Sequence, residues 1–133
     1  MSIKNSNTTS DYIEWDAAIN LVHRLFRDGE YRMSLLIGCG IFFGLRISDT
    51  LRLTWSMLLD DSSFEIIEKK TKKRREVRIN ANFQKHIKDC YNALEITDAS
   101  ENCFMSRKKR VYSIQRINVL LKDIKKKYNL KSV

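Results

Sequence analysis

The sequence predicts a mainly helical α+β domain, with helices arranged around one small antiparallel β-hairpin. Three observations carry that expectation. Apolar residues recur at helical spacing in several separate segments, and one of these, residues 30–43, is apolar on nearly every face. Two short β-rich runs, residues 64–68 and 76–79, flank a highly charged stretch. The 133 residues are 43% hydrophobic, enough for one ordinary domain with a buried core and too few for two.

Residues 1–10, rich in Ser, Thr and Asn, read as a disordered leader, leaving residues 11–133 as the domain. Trp15, Ala18, Leu21, Val22, Leu25 and Phe26 then form the inward stripe of a first helix ending near Asp28 and Gly29. The helix over 30–43 is the central one. Gly38 and Gly40 weaken it intrinsically, so a closely packed neighbour is expected at both. Gly44 stops it in the left-handed conformation that glycine tolerates. Ser48 and Asp49 suit the start of a short third helix reaching Leu53, Thr54 and Trp55. After a turn at residues 60–63, the two β-rich runs form the hairpin. Asn80 caps a helix with Phe83, Ile87, Cys90, Tyr91 and Leu94 on one face. Residues 96–102 are a loop, and 103–105 a short buried strand. Ser113 caps a last helix with Ile114, Ile117, Leu121 and Ile124 inward and three lysines, 125–127, at the end the helix dipole favours for cations.

Charge is the strongest functional signal. Residues 1–68 carry 6 basic and 10 acidic groups, and residues 69–133 carry 19 basic and 6 acidic, so the halves stand at −4 and +13. Such asymmetry is the footprint of a nucleic-acid binder, because phosphate neutralisation releases counterions. Two clusters concentrate it: Lys69, Lys70, Lys72, Lys73, Arg74 and Arg75 at the hairpin tip, and Arg107, Lys108, Lys109 and Arg110 in a later loop. A solvated basic surface is the plainer account of both. Neither cluster interleaves Phe or Trp, which argues against a single-strand stacking platform. The three cysteines, 39, 90 and 103, are odd in number and form no C-x-x-C pair, as expected of reduced core residues in a cytoplasmic protein. No run approaches the ~20 apolar residues of a membrane span, and His23 has no second ligand at i+4 as a helical metal pair would need. No metal or other cofactor is expected.

The most specific stretch is Gly44-Leu45-Arg46-Ile47-Ser48-Asp49, followed by Leu51-Arg52-Leu53-Thr54-Trp55 and, past the first β-rich run, by Lys70-Thr71. A local Arg46–Asp49 ion pair behind a helix-capping glycine would explain the hexapeptide alone. In order and spacing, however, the three elements together resemble the first half of the catalytic domain of the tyrosine recombinase, or phage integrase, family. That family's box reads G-x-R-x-S/G-E/D, then L-x-W, with a catalytic lysine on a downstream β-hairpin. The resemblance implies that Arg46 is the first catalytic arginine, Asp49 its buried acidic supporter and Lys70 the hairpin lysine. The family's K-T-G stands here as Lys70-Thr71-Lys72, which leaves Lys69 and Lys72 as alternatives in register.

The implied chemistry is DNA strand cleavage and rejoining through a 3′-phosphotyrosine, without metal or external energy, in a complete protein that self-associates on double-stranded DNA. The family's second box, H/K-x-x-R, has no H-x-x-R form here: His86 is followed at position 89 by Asp. Tyr128 precedes the region where that box belongs, so no nucleophile is assigned in this chain. The chain therefore reads as a partial catalytic domain, either a fragment of a longer recombinase or a natural remnant that binds without cutting. The rival class is a non-catalytic basic DNA- or RNA-binding module in which Arg46 is structural.

Overall fold

The computed structural model describes residues 15–130, so the expected leader over residues 1–10 lies outside the described residues. The apolar run in the first third of the chain becomes α2 (Tyr31–Phe43), against which α1 (Trp15–Arg27) packs through Leu21, Val22 and Leu25. Two four- and five-residue helices, α3 (Ile47–Thr50) and α4 (Trp55–Leu59), lead into the antiparallel pair β1 (Ser63–Ile67) and β2 (Arg74–Arg78). Helices α5 (Ala81–Ala93) and α6 (Ile114–Lys127) complete the domain. The fold is thus mainly α with a two-stranded sheet, as the periodicities predict.

α2 is central because α5 lies against its glycine. A β-carbon at Gly38 would come within 2.5 Å of Phe83 Cε1, and the Phe83 ring stacks on Phe42 at 4.6 Å and meets Phe43 edge-on at 5.4 Å. The expected close neighbour therefore exists at Gly38. Gly40 differs: nothing lies within 4 Å of its would-be β-carbon, because it faces outward. A polar chain crosses the same interface. Ser34 Oγ donates to Val22 O at 2.7 Å, so it accepts from His86 Nε2 at 2.9 Å, joining α1, α2 and α5.

Three expectations needed correction. The third helix stops at Thr50, and a separate helix α4 follows, capped by Thr54, whose Oγ1 accepts from Met57 N at 3.4 Å. Thr54 read in sequence as a helix end is a helix start. The 103–105 segment is buried at Cys103 and Phe104 but joins no sheet; it is held through isolated bridges, Thr54 to Asn102 and Met105 to Val111, and by Asn102 Nδ2 donating to Leu51 O at 2.6 Å. On α6, Ile117 and Ile124 are buried and Leu121 is half-buried, whereas Ile114, directly after the Ser113 cap, is exposed. The three cysteines are free and buried. No described helix is long and apolar enough to cross a membrane.

Candidate nucleic-acid interface and phosphoryl-transfer corner

Gly44 ends α2 with φ +65°, a conformation costly for any residue with a β-carbon, and its N–H bonds Gly40 O at 3.2 Å. The chain thereby turns sharply, and Arg46 follows in extended conformation at the N-cap of α3. Its carbonyl accepts from the backbone N–H of Asp49 and of Thr50, both at 2.9 Å, and from Thr50 Oγ1 at 3.1 Å. The backbone of Arg46 is therefore rigid. Its guanidinium is exposed and has no hydrogen-bond or ion-pair partner among the described residues.

Asp49 is fully buried, and its carboxylate does not pair with Arg46. Oδ1 accepts from Arg52 Nη2 at 2.6 Å and from the backbone N–H of Lys69 at 3.0 Å, while Oδ2 has no partner. Burial alone would raise its pKa. The Lys69 amide, the Arg52 hydrogen bond and charge, and the more distant charge of Arg46 outweigh burial and hold the carboxyl below its usual range. The local Arg46–Asp49 pair is thus replaced by an equally local Arg52–Asp49 pair, and the same carboxylate reaches the hairpin through the Lys69 amide.

The hairpin pairs Phe64 with Val77 and Ile67 with Arg74, and Glu68 and Lys73 close it through Glu68 N to Lys73 O and Lys72 N to Glu68 O, both at 2.9 Å. The tip is then the four residues Lys69, Lys70, Thr71 and Lys72, with Lys72 in the left-handed region at φ +61°. Thr71 Oγ1 donates to Glu68 Oε1 at 2.7 Å and accepts from Lys73 N at 3.3 Å. Lys69, Lys70, Lys72 and Lys73 are all exposed. The bond from Lys69 N to Asp49 ties the residue before Lys70 to the short helix that follows Arg46.

The other sequence-predicted basic residues divide. Arg74 is exposed and pairs with Glu65 at 3.1 Å across the sheet. Arg75 is turned inward: Nη2 donates to Phe43 O at 2.6 Å, Nη1 to Gly44 O at 3.4 Å, and Nη1 lies 3.6 Å from Glu68 Oε2. A cation on the last carbonyls of α2 suits that helix's dipole, and it takes Arg75 off the exposed face. Arg107, Lys108, Lys109 and Arg110 are exposed on a second tight turn, closed by Ser106 N to Arg110 O at 2.7 Å, with Lys109 at φ +63°. Arg107, Lys108, Arg110, Tyr112, Ser113 and Arg116 line an open cleft of about 730 Å³. Arg116, missed in sequence because it stands alone in the first turn of α6, joins the cluster only through this fold.

Tyr128 is buried and its hydroxyl donates to Asp28, with the Arg24 guanidinium 4.6 Å from its ring centre. Burial and the adjoining carboxylate push its pKa up to about 12. A phenol so engaged ties the end of α6 to the end of α1. Among the described residues no group of three or more His, Cys, Asp or Glu is arranged to hold a metal ion.

Comparison with known proteins agrees with this architecture. No curated protein matches the chain. The crystal structure of XerA recombinase superposes with a TM-score of 0.74 at 19% identity, over 94% of this chain and 46% of that one, a likeness of fold. The chain spans less than half the length of that recombinase. Residues 5–133 match the model of the phage integrase family, and the chain belongs to that family, the tyrosine recombinases.

Proposed function

We propose that this chain binds duplex DNA and contributes the first arginine and the hairpin lysine of a strand-cleaving and rejoining site. The observation that carries the reading is the buried Asp49, which joins the Arg46 turn to the Lys69–Lys70 loop and leaves both Arg46 and Lys70 exposed. In-line attack by a tyrosine oxygen on a DNA phosphate passes through a five-coordinate phosphorane. The Arg46 fork would accept its extra negative charge on two non-bridging oxygens. As the bond from phosphorus to the 5′-oxygen breaks, the Lys70 ammonium would give that oxygen its proton and leave a 5′-hydroxyl. Asp49 would hold the two cations in register.

On this reading the nucleophile and remaining cations come from outside these 133 residues, with Tyr128 occupied by Asp28. The 133 residues then bind DNA without cutting it. The four hairpin-tip lysines and the 107–110 turn supply phosphate contacts. Integration or excision of a mobile element, self-association on DNA and work in the cytoplasm accompany the same reading.

The test is a duplex nicked near the scissile phosphate, which traps any covalent tyrosyl adduct. The 133-residue chain should bind it with a steep salt dependence and form no adduct. A trapped adduct would return the nucleophile to this chain, and binding indifferent to salt would remove the DNA interface. In a cleavage-competent protein carrying this domain, Arg46→Ala should slow cleavage by roughly 10²- to 10³-fold, the loss typical of one transition-state donor.

A further inference from the structure

We infer that Arg52 and Arg75 are positioning residues, a two-point clamp that fixes the lysine-bearing hairpin against the Gly44–Asp49 turn. The inference rests on the reading of Lys70 as a group that meets DNA phosphate. Arg52 Nη2 bridges Asp49 Oδ1 at 2.6 Å and Ile67 O at 2.5 Å, so one guanidinium nitrogen joins the buried carboxylate to the last residue of β1. Two residues further on, Lys69 N returns to the same carboxylate oxygen at 3.0 Å. On the other strand Arg75 grips the end of α2 through Phe43 O and Gly44 O, and its Glu68 contact pulls in the residue that closes the hairpin. Both strands are therefore tied, from opposite sides, to the segment that presents Arg46.

The arrangement solves a physical problem specific to this loop. Lys69, Lys70, Lys72 and Lys73 repel one another, and a two-stranded hairpin is marginally stable by itself. Without outside anchors such a tip would sample many positions, and ordering it at each encounter with DNA would weaken its grip. A guanidinium nitrogen carries two N–H donors fixed in one rigid plane and can hold a carboxylate and a carbonyl at once, which a lysine ammonium on a flexible stem does less well. Arg52 also neutralises a carboxylate that is otherwise buried with one amide and an unpartnered Oδ2. Two arginines of a basic protein thus serve by not touching DNA.

Amide hydrogen exchange and amine footprinting on the 133-residue chain test this together. In Arg52→Ala the amides of Lys69 and Lys72 should exchange about tenfold faster or more, the scale expected when a hydrogen bond to a charged group is lost, while core amides of α2 and α5 keep their rates. Acetylation of Lys70 should be blocked by duplex DNA in the wild type and restored in Arg52→Ala, with Lys108 protected in both. Arg52→Lys should fall between, and Arg75→Ala should loosen the same loop from the β2 side. Equal acceleration of core and hairpin amides, or unchanged hairpin amides, would overturn the clamp. Faster hairpin exchange with Lys70 still protected by DNA would leave an anchor without a positioning role and overturn the inference alone. Absence of Lys70 protection in the wild type would instead refute the role given to Lys70, and the positioning role with it. Should Arg52→Ala fail to fold, Arg52→Lys and Arg75→Ala read the same amides.

Discussion

The two basic turns of this molecule are alike in composition and unlike in attachment. Each is closed by backbone bonds within the turn, each carries a lysine in the left-handed region, Lys72 or Lys109, and each exposes several cations. The 69–72 tip is also bonded to a fully buried carboxylate, and its flanking strands are held by Arg52 on one side and by the end of α2 on the other. The 106–110 turn is held by its own backbone, by Ser106 Oγ accepting from Lys108 N at 3.2 Å, and by the single bridge from Met105 to Val111. Sequence composition treats the two alike, as candidate phosphate contacts or as solvated surface. The fold separates a turn that can aim one charge from a turn that can only supply charge.

The largest break in that comparison comes from Asp49. Asp49→Ala removes the acceptor shared by Arg52 and Lys69 and should cost about 3 kcal/mol, the lower end for breaking a buried ion pair, because Arg52 remains partly solvated. The urea midpoint measures the loss, and exchange should quicken at 69–72 and not at 106–110. Gly38→Ala is the control on the opposite side. Its methyl group meets the Phe83 ring, wedged between Phe42 and Phe43, so overpacking should cost about 2 kcal/mol while leaving the two turns equally affected.

Smaller effects sharpen the comparison. For four to six phosphate contacts the slope of log binding constant against log salt should be about −4 to −5. Lys108→Ala should make it shallower by about 0.9, one phosphate, whereas Arg75→Ala should lower stability and leave the slope unchanged, because its guanidinium is committed to carbonyls. The smallest effect is on pH. Burial, aided by the nearby His23 and opposed by Asp89, lowers the pKa of His86 from the ordinary 6.5. The unfolded chain then binds the proton more readily, so stability should decline as pH falls below about 6.5, and His86→Gln should abolish that decline. Asp49 acts in a separate window. Its depressed pKa contributes stability above the ordinary 3.8, lost as pH falls through the lower folded value.

Much of this was legible in the sequence because the signals are local. Helical periodicity marks α1, α2, α5 and α6, and Gly44, Asn80 and Ser113 each cap as their chemistry predicts. The box from Gly44 to Asp49 and the Lys70 loop point to one another only through a family pattern. What brings them together physically is a bond across twenty residues, Lys69 N to Asp49, for which no local spacing gives a signal. The commitments of Arg52 and Arg75 were hidden for the same reason: a basic residue in a basic run looks like its neighbours until its acceptor is known. α4 was missed because Thr54 caps only five residues, too few to establish a period.

The three thiols have a practical consequence. Cys39, Cys90 and Cys103 lie in the core, and burial raises all three pKa values, that of Cys90 to about 12, so at neutral pH hardly any thiolate is available to an electrophile. The natural chain is therefore nearly silent to maleimides without removing a single cysteine. A Lys72→Cys, Lys109→Cys pair would take spectroscopic labels at the two turns alone. The width of the distance distribution between those labels, with and without DNA, would report directly how far the tethered turn and the untethered one move against each other.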